Sequence, residues 1–116
     1  MSAYSSILQH ILRQVEGAVA VGFADYEGET VQIEGRLEDY RHRLLLAYQG
    51  ILFHNLAEQH AGESMQSITA VYEDLTTVIK PLRRGYFLLL TLDSRKNLFQ
   101  ADGWLNWGAE QVNPDI

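Results

Sequence analysis

Residues Ala18 to Ala24, AVAVGFA, are apolar at all seven positions. A strand that is apolar on both alternating faces must be covered above and below, so this chain has to build a sheet with a layer on each side. Gly17, just before the run, ends a first helix expected over Ser6 to Val15. In that helix Ile7, Leu8, Ile11, Leu12 and Val15 share one face behind a cap at Ser5 or Ser6. After the run, Asp25-Tyr26-Glu27-Gly28 places a turn-bonding carboxylate and a glycine where the chain must reverse. Thr30 to Glu34 then returns with Val31 and Ile33 alternating with polar residues, the pattern of a half-wet edge strand.

The longest helix is expected from Glu38 to His60, opening on the acidic pair Glu38 and Asp39 and closed by Gly62. Three strands follow, at Ser64 to Tyr72, Thr76 to Leu82 and Tyr86 to Leu92, with breaks short enough for hairpins. Pro81 keeps the end of the middle one off a central ladder position. A last helix, capped by Asp93 or Ser94, is expected to run to Val112 with Leu98, Phe99, Leu105 and Val112 inward. Gly103 and Gly108 each weaken it by about 1 kcal/mol relative to Ala. The order α-β-β-α-β-β-β-α predicts an α+β fold, a five-stranded antiparallel sheet sandwiched by helices.

A chain of 116 residues builds one hydrophobic core, so residues 1–116 are expected to form a single domain. Apolar residues make up 47% and charged residues 21%, which excludes disordered and collagen-like classes. A formal charge of -6 repels phosphate backbones and anionic lipid, so neither nucleic acid nor a membrane is an expected partner. The absence of cysteine excludes disulfide scaffolds, thiolate zinc sites and cysteine nucleophiles, and fits a reducing compartment; the cytoplasm is the expected location. The N-terminal stretch has no basic segment followed by an apolar one, and the apolar stretches are far short of a membrane span.

The long helix carries more apolar surface than one sheet can cover. A line of Leu37, Tyr40, Leu44, Tyr48 and Ile51 is assigned to the sheet. Leu45, Leu52 and Leu56 continue round the flank, and Leu46, Phe53 and Ala57 lie nearly opposite the first line, forming a second stripe that needs a partner. From Gly62 to Ile79 there is no Lys, Arg or Pro, the residues that normally blunt an edge strand. If Ser64 to Tyr72 is an edge, a second copy joined across a two-fold axis would cover both features; the alternatives are a strand inside the sheet and isolated exposed apolar residues at Leu46 and Phe53. The residues expected at this dimer or partner interface are His42, Leu45, Leu46, Gln49, Phe53, Leu56, Met65 and Ile68.

No constellation for chemistry emerges. Gly17 and Gly22 are followed by Phe23 and Ala24 rather than by the Lys and Ser or Thr of a phosphate loop. Ser64 has only the first glycine of a nucleophile elbow. His10, His42, His54 and His60 do not pair at the spacing of a helical zinc site, so no metal and no cofactor is expected. Glu73 and Asp74 sit in an expected turn, without the apolar cover that would perturb them. Arg83 and Arg84 read as a solvated turn, and Trp104 and Trp107 as cover for the end of the sheet.

The strings GAVAVGFADYEGETVQIEG and TTVIKPLRRGYFLLLTLDSRKNLFQADGWL, with the long helix between them, resemble the roadblock/dynein light chain family, particularly its small bacterial and archaeal gliding-protein-B-type members. The resemblance spans nearly the whole chain and implies a roadblock-like, profilin-like fold with helix two on one sheet face and helices one and three on the other. It further implies homodimers or heterodimers joined through helix two and strand three, and regulation of small Ras-like GTPases, or adaptor roles on motors and signalling complexes, without nucleotide binding. The segment GRLEDYRHR departs from the family pattern. The expected function is a non-catalytic dimeric module regulating or scaffolding a small Ras-like GTPase, with itself and that GTPase as partners and no enzymatic activity. The alternative is a small-ligand sensor or a general adaptor with no GTPase partner.

Overall fold

The computed structural model describes residues 3–59 and 65–116. Its elements run α1 (Ala3–Gln14), β1 (Ala18–Ala24), β2 (Thr30–Gly35), α2 (Asp39–Gln59), β3 (Ile68–Val71), β4 (Thr76–Pro81), β5 (Phe87–Leu92) and α3 (Leu98–Val112). The strands form one antiparallel sheet of five in the order β2-β1-β5-β4-β3. The apolar run Ala18–Ala24 is β1, paired on both sides, and the central strand β5 is buried at every position.

Two cores lie on opposite faces of this sheet, as a doubly apolar β1 demands. On one face Leu8 and Ile11 of α1, Val15 just after it, and Ala101, Leu105, Ala109 and Val112 of α3 pack on Val21, Phe23, Leu88, Leu90 and Leu92. On the other, Leu46 and Phe53 of α2 pack on Ala24, Ile79, Phe87 and Leu89. The β1–β2 turn forms as the sequence implies. The Asp25 carboxylate accepts from the backbone N–H of Glu27 and of Glu29 at 2.9 and 3.0 Å, and Gly28 takes a φ of 82°.

Several boundaries differ for identifiable reasons. α1 starts at Ala3, which places Ser5 inside the helix and buried rather than at its cap. α3 starts at Leu98 instead of next to Asp93 or Ser94. The segment between is tied to the α1–β1 junction, where the Asp93 N–H donates to the Gly17 carbonyl at 2.9 Å and the Asn97 side-chain amide donates to the Glu16 carbonyl at 2.8 Å. These tertiary bonds outweigh local capping. Phe99 points outward, 93% exposed, because the inward row of α3 is taken by Leu98, Ala101, Leu105 and Val112. β3 covers only Ile68–Val71; its expected first residue Ser64, together with His60 and Gly62 at the expected helix end, lies outside the described residues.

β1 and α2 approach closely at Gly22. A Cβ there would sit 2.9 Å from both Leu46 methyl carbons and 3.1 Å from His42 Nε2. Gly22→Val is therefore expected to lower the unfolding free energy by about 1–3 kcal/mol through overpacking, read as a lower urea midpoint with unchanged slope.

Candidate functional site

The rotation of α2 about its axis decides which side chains a partner can reach, and it is opposite to the sequence assignment. His42, Leu46, Gln49 and Phe53 face the sheet and are buried, at 0%, 0%, 0% and 5% exposure. Leu44, Tyr48 and Ile51, assigned to the sheet, face outward at 52%, 74% and 63%. The Tyr40 side chain of that same line lies outside the described residues.

The cause is a close contact that helical periodicity does not register. Gly50 lies against the β1–β2 turn, where an added Cβ would be 3.3 Å from the Gly28 Cα and 3.2 Å from the Phe87 ring. A side chain there would press on both neighbours, and with Gly50 in place the helix seats against the turn with Leu46, Gln49 and Phe53 down on the sheet. The floor beneath includes the buried hydroxyl residues Thr77 and Thr91, paired across β4 and β5, so polar His42 and Gln49 face a partly polar surface. A glycine in mid-helix costs about 1 kcal/mol, and that anomaly was the available signal.

Of the other expected interface residues, Leu45, Leu56, Met65 and Ile68 are half-buried, and Leu45, Met65 and Ile68 pack against the α2-side core. Gln49 acts through another residue: its side-chain amide donates to the Tyr72 hydroxyl just beyond β3, which ties α2 to the sheet edge. Leu45, Tyr48, Gln49, Tyr72 and Leu75 line a shallow depression there, with Arg41 and Asp74 at its rim. The Arg41 guanidinium stands 3.7 Å from the Asp74 carboxylate; both are exposed, so the pair contributes at most about 1 kcal/mol.

The resulting surface has the composition of an interface. An apolar, aromatic centre of Leu44, Tyr48, Ile51 and Leu52 on α2 continues onto Tyr72 at the sheet edge, and charges stand at its margin. Among the described residues β3 has no neighbour beyond it in the sheet, and it contains no Lys, Arg or Pro. Its four residues make a shorter open edge than the expected nine-residue strand would have.

The remaining candidates are placed as follows. His54 Nε2 lies 3.2 Å from the Gly85 carbonyl and donates to it, while His10 packs on the rings of Trp104 and Trp107. Arg83 and Arg84 are exposed, and Arg84 takes a left-handed φ of 58° to close the β4–β5 turn. The Glu27 carboxylate, charged and hydrogen-bonded beside it, raises the pKa of the Tyr26 phenol above its ordinary value. Among the described residues no group of three His, Asp or Glu side chains converges as a metal site. No helix among them is long and apolar enough to cross a membrane.

Comparison with known proteins gives the class through the fold. No protein-family model matches the sequence, and no curated protein matches it. In three dimensions the chain is similar to MglC from Myxococcus xanthus, with a TM-score of 0.76 and 22% identity over 99% of this chain and 100% of that one. It is similar to a Roadblock/LC7 domain from Streptomyces avermitilis, with a TM-score of 0.82 and 10% identity over 95% and 94% of the two chains. Myxococcus xanthus MglB superposes with a TM-score of 0.83 and 10% identity over 99% and 95%. The chain has the roadblock fold, shared with these three proteins.

The burial pattern separates core from surface on α2. Phe53→Ala is expected to cost about 3–5 kcal/mol of folding stability by leaving a cavity against Phe87. Tyr48→Ala is expected to leave the far-UV circular dichroism spectrum unchanged, since that side chain is 74% exposed.

Proposed function

We propose that residues 1–116 form one non-catalytic interaction domain that dimerises through α2 and the β3 edge, and that the dimer regulates or scaffolds a small Ras-like GTPase. The observation that carries the dimer is the outward surface of Leu44, Tyr48, Ile51 and Leu52, which meets Tyr72 beside the edge strand. Left in water, these side chains forgo on the order of 25 cal/mol for each Å² of apolar surface that a second copy would cover. A two-fold axis beside β3 would at once pair the open edge and bring the two α2 helices together. The interface is thus moved from the stripe of Leu46 and Phe53, which is core, to the stripe of Tyr48 and Ile51.

The GTPase partner is carried over from the roadblock resemblance, which covers the helix and strand that make this surface. A regulator of that kind works by holding a partner's switch loops and needs no nucleophile or phosphate loop of its own. Tight packing favours an interaction module over a small-ligand sensor. The space between α2 and the sheet is filled by Leu46, Phe53, Ile79, Phe87 and Leu89, and the depressions beside Tyr48 are shallow and open.

Two measurements test the two halves separately. Light scattering at micromolar concentration should give twice 13.2 kDa, and the double variant Tyr48→Glu, Ile51→Glu should give 13.2 kDa with an unchanged circular dichroism spectrum. A wild-type mass of 13.2 kDa would refute the dimer. Affinity isolation from native lysate, with added GDP or a non-hydrolysable GTP analogue, should retain a Ras-like GTPase in one nucleotide state and lose it with the double variant. Retention of no GTPase in either state would refute the regulatory assignment. In the complex, Arg84→Ala should change stimulated hydrolysis by less than about tenfold, whereas an arginine finger would lose about a thousandfold or more.

A further inference from the structure

Gln49 is a polar side chain in an apolar seat. It is fully buried on the sheet side of α2, and Leu46 and Phe53, one turn away on either side of it, pack into the core with Phe87 and Leu89. Its amide nitrogen donates to the Tyr72 hydroxyl, while its Oε1 is buried with no hydrogen-bond partner among the described residues. The buried hydroxyls of Thr77 and Thr91 on the floor beneath are in the same condition. Each such atom costs folding free energy that an apolar side chain of similar shape would not. A buried polar group kept at that cost points to a task other than stability.

What the amide holds shows the task. Tyr72 continues the β3–β4 ladder past the strand end, its N–H donating to the Leu75 carbonyl at 2.8 Å. Alternation along that ladder puts Tyr72 on the same face as Ile68, which packs against the α2-side core, so the tyrosine ring leans towards α2. The residue is 45% exposed and borders the depression that Leu45, Tyr48 and Leu75 also line. Tyr72 is thus fixed at both ends, by its backbone in the hairpin and by its hydroxyl on Gln49. A tyrosine held in this way offers a rigid aromatic body that has little freedom left to lose on binding.

We infer that Gln49 is a positioning residue for the α2–β3 interface, holding Tyr72 as the anchor against which a second copy packs. The inference deepens the dimer reading above and rests on it. Gln49 touches no partner itself; it acts from the core, through Tyr72. Its polarity lowers the stability of the fold and raises the affinity of the surface. About a two-fold axis both copies of Tyr72 stand at the interface, so loss of the tether acts twice.

Gln49→Met removes the amide, keeps an unbranched side chain of similar length and leaves the part-exposed Tyr72 hydroxyl to water. It should raise the dimer dissociation constant, read by sedimentation equilibrium, about tenfold or more, because two freed Tyr72 side chains must then be ordered on association. Tyr72→Phe should do the same, and Gln49→Met combined with Tyr72→Phe should be no weaker than either alone, since both changes remove one bond. Folding is read apart from association in the Tyr48→Glu, Ile51→Glu chain, where adding Gln49→Met should leave the urea midpoint unchanged or higher. A lower midpoint there would make Gln49 a packing residue and overturns the inference. So does a dimeric wild type whose dissociation constant is unaltered by Gln49→Met, or a combined variant weakened by the product of the two single effects. A wild-type mass of 13.2 kDa at every concentration overturns the dimer itself, and this inference with it.

Discussion

The seating of α2 on β1 and the β1–β2 turn governs most of what this molecule presents to a partner. Gly22 lies under Leu46 and His42, and Gly50 lies against Gly28, so the helix approaches the sheet without side chains to hold it off. A helix of 21 residues that is apolar on two sides could lie down on either. The glycine contacts choose one, and every statement about the outward surface follows from that choice. Leu46 and Phe53 become core with Phe87 and Leu89, and Leu44, Tyr48 and Ile51 become surface.

Sheet topology then determines what lies beside that surface. The strand order β2-β1-β5-β4-β3 leaves β2 and β3 as the two edges. They are treated differently. Glu34 of β2 accepts from the side-chain amides of Gln9 and Gln32 at 2.7 and 2.9 Å, and the strand continues into charged Arg36. β3 carries no charge, and just beyond its far end the exposed Tyr72 stands beside the outward stripe of α2. An uncharged edge next to an aliphatic and aromatic helix face has the chemistry common at protein interfaces.

The two helical layers are unequal in a functional sense. α1 and α3 share one stripe each with the sheet and make the larger core, which leaves α3 with a single protruding aromatic and a glycine gap. α2 works alone on its face and has apolar surface to spare along most of its length.

Local pattern was enough for the architecture. The all-apolar Ala18–Ala24 required a doubly covered strand, Asp25 and Gly28 required the turn, and the order of elements came out as read, because strand alternation and turn chemistry are properties of neighbouring residues. The lack of Lys, Arg and Pro over Gly62 to Ile79 fitted an unprotected edge and an interior strand alike, and only the strand order put β3 at the edge. What the sequence could not decide was the face of α2 that meets the sheet, since both stripes satisfy helical periodicity equally well. The phase of α3 and its start at Leu98 were likewise set by Asp93 and Asn97 bonding to Gly17 and Glu16, some eighty residues away in the chain. Contacts between residues distant in sequence, a glycine on a glycine and an amide on a remote carbonyl, leave no periodic trace; they decided which side chains were left for a partner.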